Sequence, residues 1–561
     1  MFERFSREEQ ILSSLKPWGS DVCGPVLYDA GGQYFTDDPG YPHHFCVTGR
    51  TRAGKTASIS IPTIYSVLQS NNSAIILDSS KGELYRKTIR YAKEKGTHRL
   101  WHLDLNEPWS SPDSYTPIWE LYWKRRSPDP QVEDDSYRDA MQFQRLIPQQ
   151  DSDKFWEEAA GQTLAGLAMA LVEIADEDEL NLMSLQTMLS ESLNRVANTT
   201  ILQELTRFWP GHSRAKPMLT TMACTAKETA GGIFAVVSAA LNKLCISDGL
   251  LDMTSGHSLS CEALDVDQPF LIYITLPSDG TAAVAGLIVS QLVTHFIRLA
   301  DRSAEGRLKH ELWCILEEIG ISGPYIPELP LWCSTSLGRG IRFMLISQSA
   351  SQLDHVFGKE GAREIRDNTV SINFANQDPE SLRTLSELCG KYTVFSGQGE
   401  KEYPRMTPDQ IAALGVGRCL IQSGNLIYVA RLPMYTRLFT PVEGVGDPLP
   451  FHDRDYYKRF GLEKFVLDLR KAHLDELLSQ SVQEREKKPG SVVAQEVFGR
   501  QLAQRKQKID EAVEEGKDRC DTGEEHGKPQ SLIDILCKRG LEQFVQKTDS
   551  VPDDLDDEGE F

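Results

Sequence analysis

Paired cysteines are missing from this chain. Its eleven cysteines, at 23, 46, 224, 245, 261, 314, 333, 389, 419, 520 and 537, include no Cys-x-x-Cys spacing, and their number is odd. A disulfide framework and a zinc site of that spacing are thereby excluded as organising features. Reduced cysteines in a cytoplasm fit better. An apolar leader is missing as well: MFERFSREEQILSSLKPWG carries charges throughout, so it is not expected to act as a signal peptide. Nor is there a long uninterrupted apolar run. The most apolar stretch, 282–300, contains Ser290, Gln291, Thr294, His295 and Arg298, so it is expected to be a helix buried in protein, and no transmembrane segment is expected. Positive charge is in deficit, with 81 acids against 60 bases and a net charge of −21. That excludes a general nucleic-acid coat. Any DNA contact must come from a local basic surface such as a channel lining, and the acidic exterior favours basic protein partners.

What is present is a chain of 561 residues, too long for one compact core, which implies two or three domains. Residues 44–47 read as a short apolar strand, followed by Gly49-Arg50-Thr51-Arg52-Ala53-Gly54-Lys55-Thr56 and a helical run over 58–68 with Pro62 an irregularity near its start. This is a complete phosphate-binding loop in its required context of strand before and helix after. Its glycines let backbone N–H groups close around phosphates, and the helix N-terminus adds a favourable dipole. Lys55 supplies a point charge to the phosphates and Thr56 a hydroxyl to magnesium, so ATP with Mg2+ is the expected ligand.

A strand ending at Asp78, a helix over 85–94 and a strand over 99–105 continue the strand–helix alternation of a parallel sheet covered by helices. From 117 to 264 the pattern is helical, with clear runs at 154–176, 182–197, 201–209 and 231–244. Strand signals resume at 270–275, 312–316, 343–346 and 370–374. The pair 419–422 and 426–429, joined by Ser423-Gly424-Asn425, reads as a hairpin. The expected organisation is an α/β, RecA-like P-loop core with an inserted all-helical domain and a helical, acidic C-terminal extension. Its segments are an N-terminal stretch 1–40, a nucleotide-binding domain 41–116 and 265–440, an all-α insert 117–264, a helical extension 445–548 and an acidic tail 549–561. The extension reads as polar helices over 463–484 and 492–515, a linker over 521–529 and a short helix over 532–546. Residues 551–561 carry six acids and no base, a segment expected to be disordered alone.

A phosphate loop needs an acidic partner at the end of a neighbouring strand. Leu312-Trp313-Cys314-Ile315-Leu316 delivers Glu317 and Glu318 to the C-terminal edge, where ligands sit in such sheets. Glu317 is expected to hold magnesium through water and Glu318 to act as general base on the attacking water; a solvated acidic pair is the competing reading. Gln348, ending the apolar run 343–346 and Ser347, is a candidate γ-phosphate sensor or water-orienting group, although a helix or turn cap is favoured by the residues alone.

Taken together, these segments resemble the TraG/TraD-type coupling ATPases of type IV secretion and conjugation. The resemblance is carried by Gly49–Thr56 followed by Ile61-Pro62-Thr63, by Lys81-Gly82-Glu83-Leu84-Tyr85, by Tyr115-Thr116-Pro117 and by Leu316-Glu317-Glu318-Ile319-Gly320. Further support comes from 338–349, from Asn376-Gln377-Asp378-Pro379-Glu380 through Leu388-Cys389-Gly390-Lys391, and from Arg405-Met406-Thr407-Pro408-Asp409-Gln410-Ile411. It covers about residues 41–437, and the order and spacing of the set make it specific. It implies a homo-oligomeric ring, usually a hexamer, with nucleotide between subunits, an all-helical domain at the cytoplasmic mouth, and ATP hydrolysis coupled to delivery of DNA–protein substrates into a secretion channel.

The chain departs from the family pattern in several places. Glu317 stands where Asp is usual, and Leu337 takes the first of two expected arginine positions, leaving Arg339, Arg342 or Arg366 to serve as any trans-acting finger. Ser79 stands where an Asp often precedes the Lys-Gly-Glu segment, with Asp78 one place earlier. The two membrane helices that often begin family members are absent, which implies a separate membrane partner or a soluble branch, with the protein at the inner face of the cell membrane. For DNA, two basic groups present themselves: Lys124-Arg125-Arg126, and Arg339, Arg342, Lys359, Arg363 and Arg366. The acidic tail is a candidate dock for a relaxosome or adaptor protein, or a solubilising segment. Two further readings stand beside the coupling ATPase: an FtsK/HerA-like double-stranded DNA translocase, and a nucleotide-binding recruitment scaffold with weak hydrolysis.

Overall fold

In the computed structural model, residues 8–487 are described apart from 20, 148–153, 197, 210, 246, 265–266, 279–281, 321–322, 376–377, 397–398, 441–445, 447 and 453–456. The sequence-expected helices at 492–515 and 532–546 and the acidic tail lie outside the described residues. The chain divides into two compact units, 1–115 with 256–454 and 116–255 with 455–561.

The first unit is built on nine strands: β1 (His44–Thr48), β2 (Ser73–Asp78), β3 (Arg99–Asp104), β4 (Phe270–Thr275), β5 (Leu312–Leu316), β6 (Ile341–Ser347), β7 (Thr369–Phe374), β8 (Arg418–Ser423) and β9 (Leu426–Arg431). They lie in the order β9-β8-β7-β1-β6-β5-β2-β4-β3. The seven strands from β7 to β3 are parallel, and β8 and β9 add an antiparallel edge. β1, β2, β4, β5 and β6 are buried along their whole length, as continuous apolar runs must be when helices cover both faces of a parallel sheet. The β8–β9 hairpin turns through Gly424-Asn425, with Gly424 at φ +55°, the left-handed first position a tight hairpin needs. The helix Ala283–Arg302 is long and apolar enough to cross a membrane, yet 67% of its most apolar stretch is buried inside the protein.

The helix after the phosphate loop does not start as a regular α-helix. Thr56–Ser60 forms a π-helical turn in which Ile61 N–H donates to Thr56 O, and only then does Ile61–Gln69 continue as α-helix. Pro62 explains this. It has no N–H to return to Ser58, and its ring crowds that carbonyl, so the preceding turn widens.

Residues 15–37, unassigned by sequence patterning, form a small antiparallel sheet of Leu15–Pro17, Tyr34–Asp37 and Tyr28–Asp29. Arg342 anchors it. This residue is 1% exposed, donates to Asp37 Oδ2 at 2.6 Å and to His43 O, and lies 4.3 Å over the Trp313 ring. A guanidinium committed this way cannot serve as an arginine finger or reach DNA, so both readings of Arg342 are corrected here.

The second unit is helical, running through Pro117–Arg125, Pro130–Ala140, Lys154–Ile174, Leu182–Ser192, Ile201–Arg207, Ala215–Cys224, Lys227–Leu244 and Asp248–Met253. The later helix Leu462–Lys487 packs on Leu182–Ser192 and Ile201–Arg207. Its start is fixed by Glu463 N–H donating to Glu191 Oε2 at 2.9 Å and Phe460 N–H donating to Ser184 Oγ at 3.0 Å. The basic cluster Lys124-Arg125-Arg126 is also corrected as a nucleic-acid surface. Lys124 is 2% exposed and bonds Asp139 at 2.7 Å, Arg125 pairs with Glu133, and Arg126 lies 3.5 Å over the Tyr122 ring. These charges are consumed inside the helical unit.

Candidate nucleotide-binding site

Strand β1 ends at Thr48, and the loop 49–55 turns back to start the helix. Gly49 (φ +153°), Arg52 (φ +66°) and Gly54 (φ +103°) shape it. A Cβ on Gly49 would stand 2.6 Å from Phe374 Cβ on the neighbouring β7, so only glycine fits. Backbone bonds pin the loop to its surroundings: Arg50 N–H to Ala375 O at 3.1 Å, Gly417 N–H to Ala53 O at 3.2 Å, and Ser58 N–H to Gly54 O at 2.9 Å. Lys55 Nζ folds over its own loop, donating to Gly49 O and, at 3.2 Å, to Arg50 O. Burial holds its pKa below the ordinary lysine value.

Glu317 follows β5, two strands from β1 across β6. Only 6% exposed, its Oε1 accepts from Ser60 Oγ at 2.8 Å and from Thr56 Oγ1 at 3.3 Å. The sheet thus joins the loop helix to the acid across some 260 residues of sequence. Burial first, and the charge of Asp78 second, push the Glu317 carboxyl up to about 7. Asp78 ends β2 beside β5, is fully buried, and burial lifts its carboxyl to about 6.

Glu318, half-buried, takes φ +56°, a left-handed backbone that non-glycine residues seldom adopt. Such strain persists only where the surroundings impose it, and it concentrates at functional positions. Here Ile319 N–H is held by Ile346 O at 3.0 Å, and Gly323 packs so close that a Cβ there would meet Glu318 O at 1.9 Å. Gln348 is exposed just beyond β6, whose Ser347 pairs in register with Thr48 of β1, so it stands at the loop's edge of the sheet. The helix cap is not Gln348 but its neighbour Ser349, whose side chain accepts from Gln352 N–H.

Arg339 is not brought to this edge. It precedes β6, at the opposite edge of the sheet, and donates to Asp301 Oδ1 at 2.5 Å, Asp301 Oδ2 at 3.2 Å and Thr335 O at 2.6 Å. Arg366 pairs with Asp354 at 2.9 Å and Arg363 with Asp367 at 3.4 Å.

Two members of the site were not singled out from sequence. Ser60 stands four residues after Thr56, so helical spacing alone puts both hydroxyls on one face. Asp78 was visible as a strand end, but its place beside Glu317 depends on strand order. The assembled oxygens of Thr56, Ser60, Glu317 and Asp78 are hard donors of the kind Mg2+ takes. Among the described residues no group of three or more His, Cys, Asp or Glu could hold a metal unaided.

A parallel sheet with a complete phosphate loop at its C-terminal edge and a buried acid facing the loop helix defines a P-loop nucleotide-binding protein of RecA-like fold. Within that class the chain belongs to the family of Type IV secretory system conjugative DNA transfer proteins, whose model matches residues 8–431. No curated protein matches it. Among solved structures, the plasmid coupling protein TrwB in complex with the non-hydrolysable analogue ADPNP is similar, at 18% identity and TM-score 0.55, over 77% of this chain and 93% of that one. TrwB in complex with ADP and Mg2+ is similar at 17% identity and TM-score 0.55, over 77% and 93%. The trigonal form of the conjugative coupling protein TrwBdeltaN70 with sulphate is similar at 17% identity and TM-score 0.55, over 74% and 90%. At these identities the likeness is one of fold.

Proposed function

We propose that this protein binds ATP with Mg2+ at Gly49–Thr56 and hydrolyses it, as a coupling ATPase that recruits DNA–protein substrates and drives them into a type IV secretion or conjugation channel. The observation that carries this reading is the convergence of Thr56, Ser60 and Glu317 beneath the loop, at 2.8 and 3.3 Å.

The loop's N–H groups and Lys55 receive the phosphates; Lys55 exchanges its present carbonyl partners for phosphate oxygens. Thr56 and Glu317 hold Mg2+, which supplies charge neutralisation on the phosphates when bound. Glu318 accepts a proton from the attacking water as general base, positioned by its left-handed backbone. Gln348, exposed at the same edge, senses the γ-phosphate. Arg339 has no role in the site of its own subunit; any part it plays is in a neighbouring one.

The working form is a homo-oligomer, a hexameric ring, at the inner face of the membrane through partners. Those partners are secretion-channel proteins, a separate membrane protein, and a relaxosome or adaptor protein that docks on the acidic tail 549–561. DNA passes a locally basic channel in which modest charge per subunit repeats around the pore. Steady-state ATP turnover with and without single- and double-stranded DNA tests this function. DNA-stimulated turnover is expected, and nucleotide binding without turnover under any of these conditions would leave a recruitment scaffold.

A further inference from the structure

The setting of Asp78 beside Glu317 is unusual. It ends β2, which pairs in register with β5, Leu77 opposite Leu316, and Glu317 N–H donates to Leu77 O at 3.0 Å. Asp78 and Glu317 are therefore cross-strand neighbours one step past the last pair, and side-chain alternation sends both to the same face. On that face lie Ser60 and Thr56.

The two oxygens of Asp78 differ. Oδ2 accepts from Tyr85 N–H at 2.9 Å, at the third position of the helix Glu83–Lys95. The residue that formally caps this helix is Gly82, which has no side chain, so Asp78 provides the capping carboxylate from the strand end. Oδ1 is fully buried and has no hydrogen-bond partner among the described residues. A buried carboxylate oxygen without a donor, beside a second buried carboxylate, costs free energy unless a cation or its water supplies the missing interaction.

We propose that Asp78 is a positioning residue of the cation site. Oδ1 takes a hydrogen bond from the hydration shell of the divalent ion held by Thr56 and Glu317, while Oδ2 holds the helix Glu83–Lys95, so that cation occupancy is linked to the order of that helix. This rests on the reading of the loop as a nucleotide–Mg2+ site. The helix carries the linkage outward: Tyr85 lies 3.7 Å from the His102 ring in a stacked pair, and Tyr91 stacks on Tyr65 of the loop helix at 4.1 Å. The start of the Lys81-Gly82-Glu83 turn is thus tied to what the phosphate loop holds.

The test uses the full chain and Asp78→Asn, which keeps an oxygen acceptor for Tyr85 N–H and removes the charge. Mn2+ binding in the presence of ADP is followed by electron paramagnetic resonance, and ADP binding in EDTA serves as reference. The variant is expected to bind Mn2+ about 10-fold more weakly, the scale of outer-shell partners at metal sites, with ADP affinity in EDTA unchanged. Hydrogen exchange over 83–95 should slow in the wild type on adding Mg2+ to the ADP-bound protein, and this slowing should be lost in the variant. Wild-type Mn2+ affinity in Asp78→Asn overturns the positioning role. Exchange over 83–95 that does not respond to Mg2+ in the wild type overturns the linkage, and needs no variant. A wild type that binds neither ADP nor Mn2+ refutes the nucleotide site itself, a result distinct from both.

Discussion

Glu317 is the residue on which the chemistry and the stability of this site meet. Burial and Asp78 raise its carboxyl to about 7, above the roughly 4.3 of an unfolded glutamate. Between those values the native state binds more protons than the unfolded state, so the stability contributed by this group is full below about pH 4 and is lost as pH rises through 7. Asp78, raised to about 6 by burial, acts in the same direction. Glu317→Gln removes the larger share. The nucleotide-free variant should therefore lose less stability than the wild type between pH 5 and pH 8, by about 1–3 kcal/mol. Thermal unfolding at the two pH values without nucleotide checks this, and an equal decline in both proteins would contradict it. At this scale the sequence was informative about the groups and not about their state. Lys55, Thr56 and Glu317 stood out by motif and strand end. Ser60 and Asp78 did not, because one needed attention to helical spacing and the other needed to know which strand lies beside β5. The basic residues are the least legible: Arg342 and Lys124 look like surface charges in a sequence, and their partners Asp37 and Asp139 are 305 and 15 residues away.

Among the elements, the phosphate loop depends on β7 as much as on its own glycines. Phe374 closes over Gly49, and Thr48 Oγ1 donates to Asn373 Oδ1 at 2.7 Å on the same strand. Gly49→Ala must displace β7 backbone and place a Cβ at a φ that L residues rarely adopt. It is expected to cost about 2–3 kcal/mol and to weaken nucleotide binding; thermal unfolding and ADP titration measure both, and wild-type values for the variant would contradict the packing described here. Buried parallel strands were legible because continuous apolar runs bounded by turn residues leave few alternatives. The paired strands Lys391–Ser396 and Gly399–Pro404 mix polar, charged and apolar residues and give no such signal, and neither do the short strands of residues 15–37. The π-helical turn at Thr56–Ser60 was foreshadowed only by Pro62.

On the scale of the whole molecule, the two compact units each draw on two separate stretches of chain. The helical unit is interrupted by return to the sheet and then recovers the helix Leu462–Lys487, a long-range pairing that local patterning cannot reveal. The function proposed for the nucleotide unit depends on one ammonium group, that of Lys55. Steady-state ATP hydrolysis by the full chain with Mg2+ and DNA, compared with Lys55→Ala, measures that dependence. The variant is expected to lose at least about 100-fold in turnover, the scale of removing a main charge-stabilising group from a transition state, while remaining folded. A folded Lys55→Ala protein that hydrolyses ATP at the wild-type rate would contradict it.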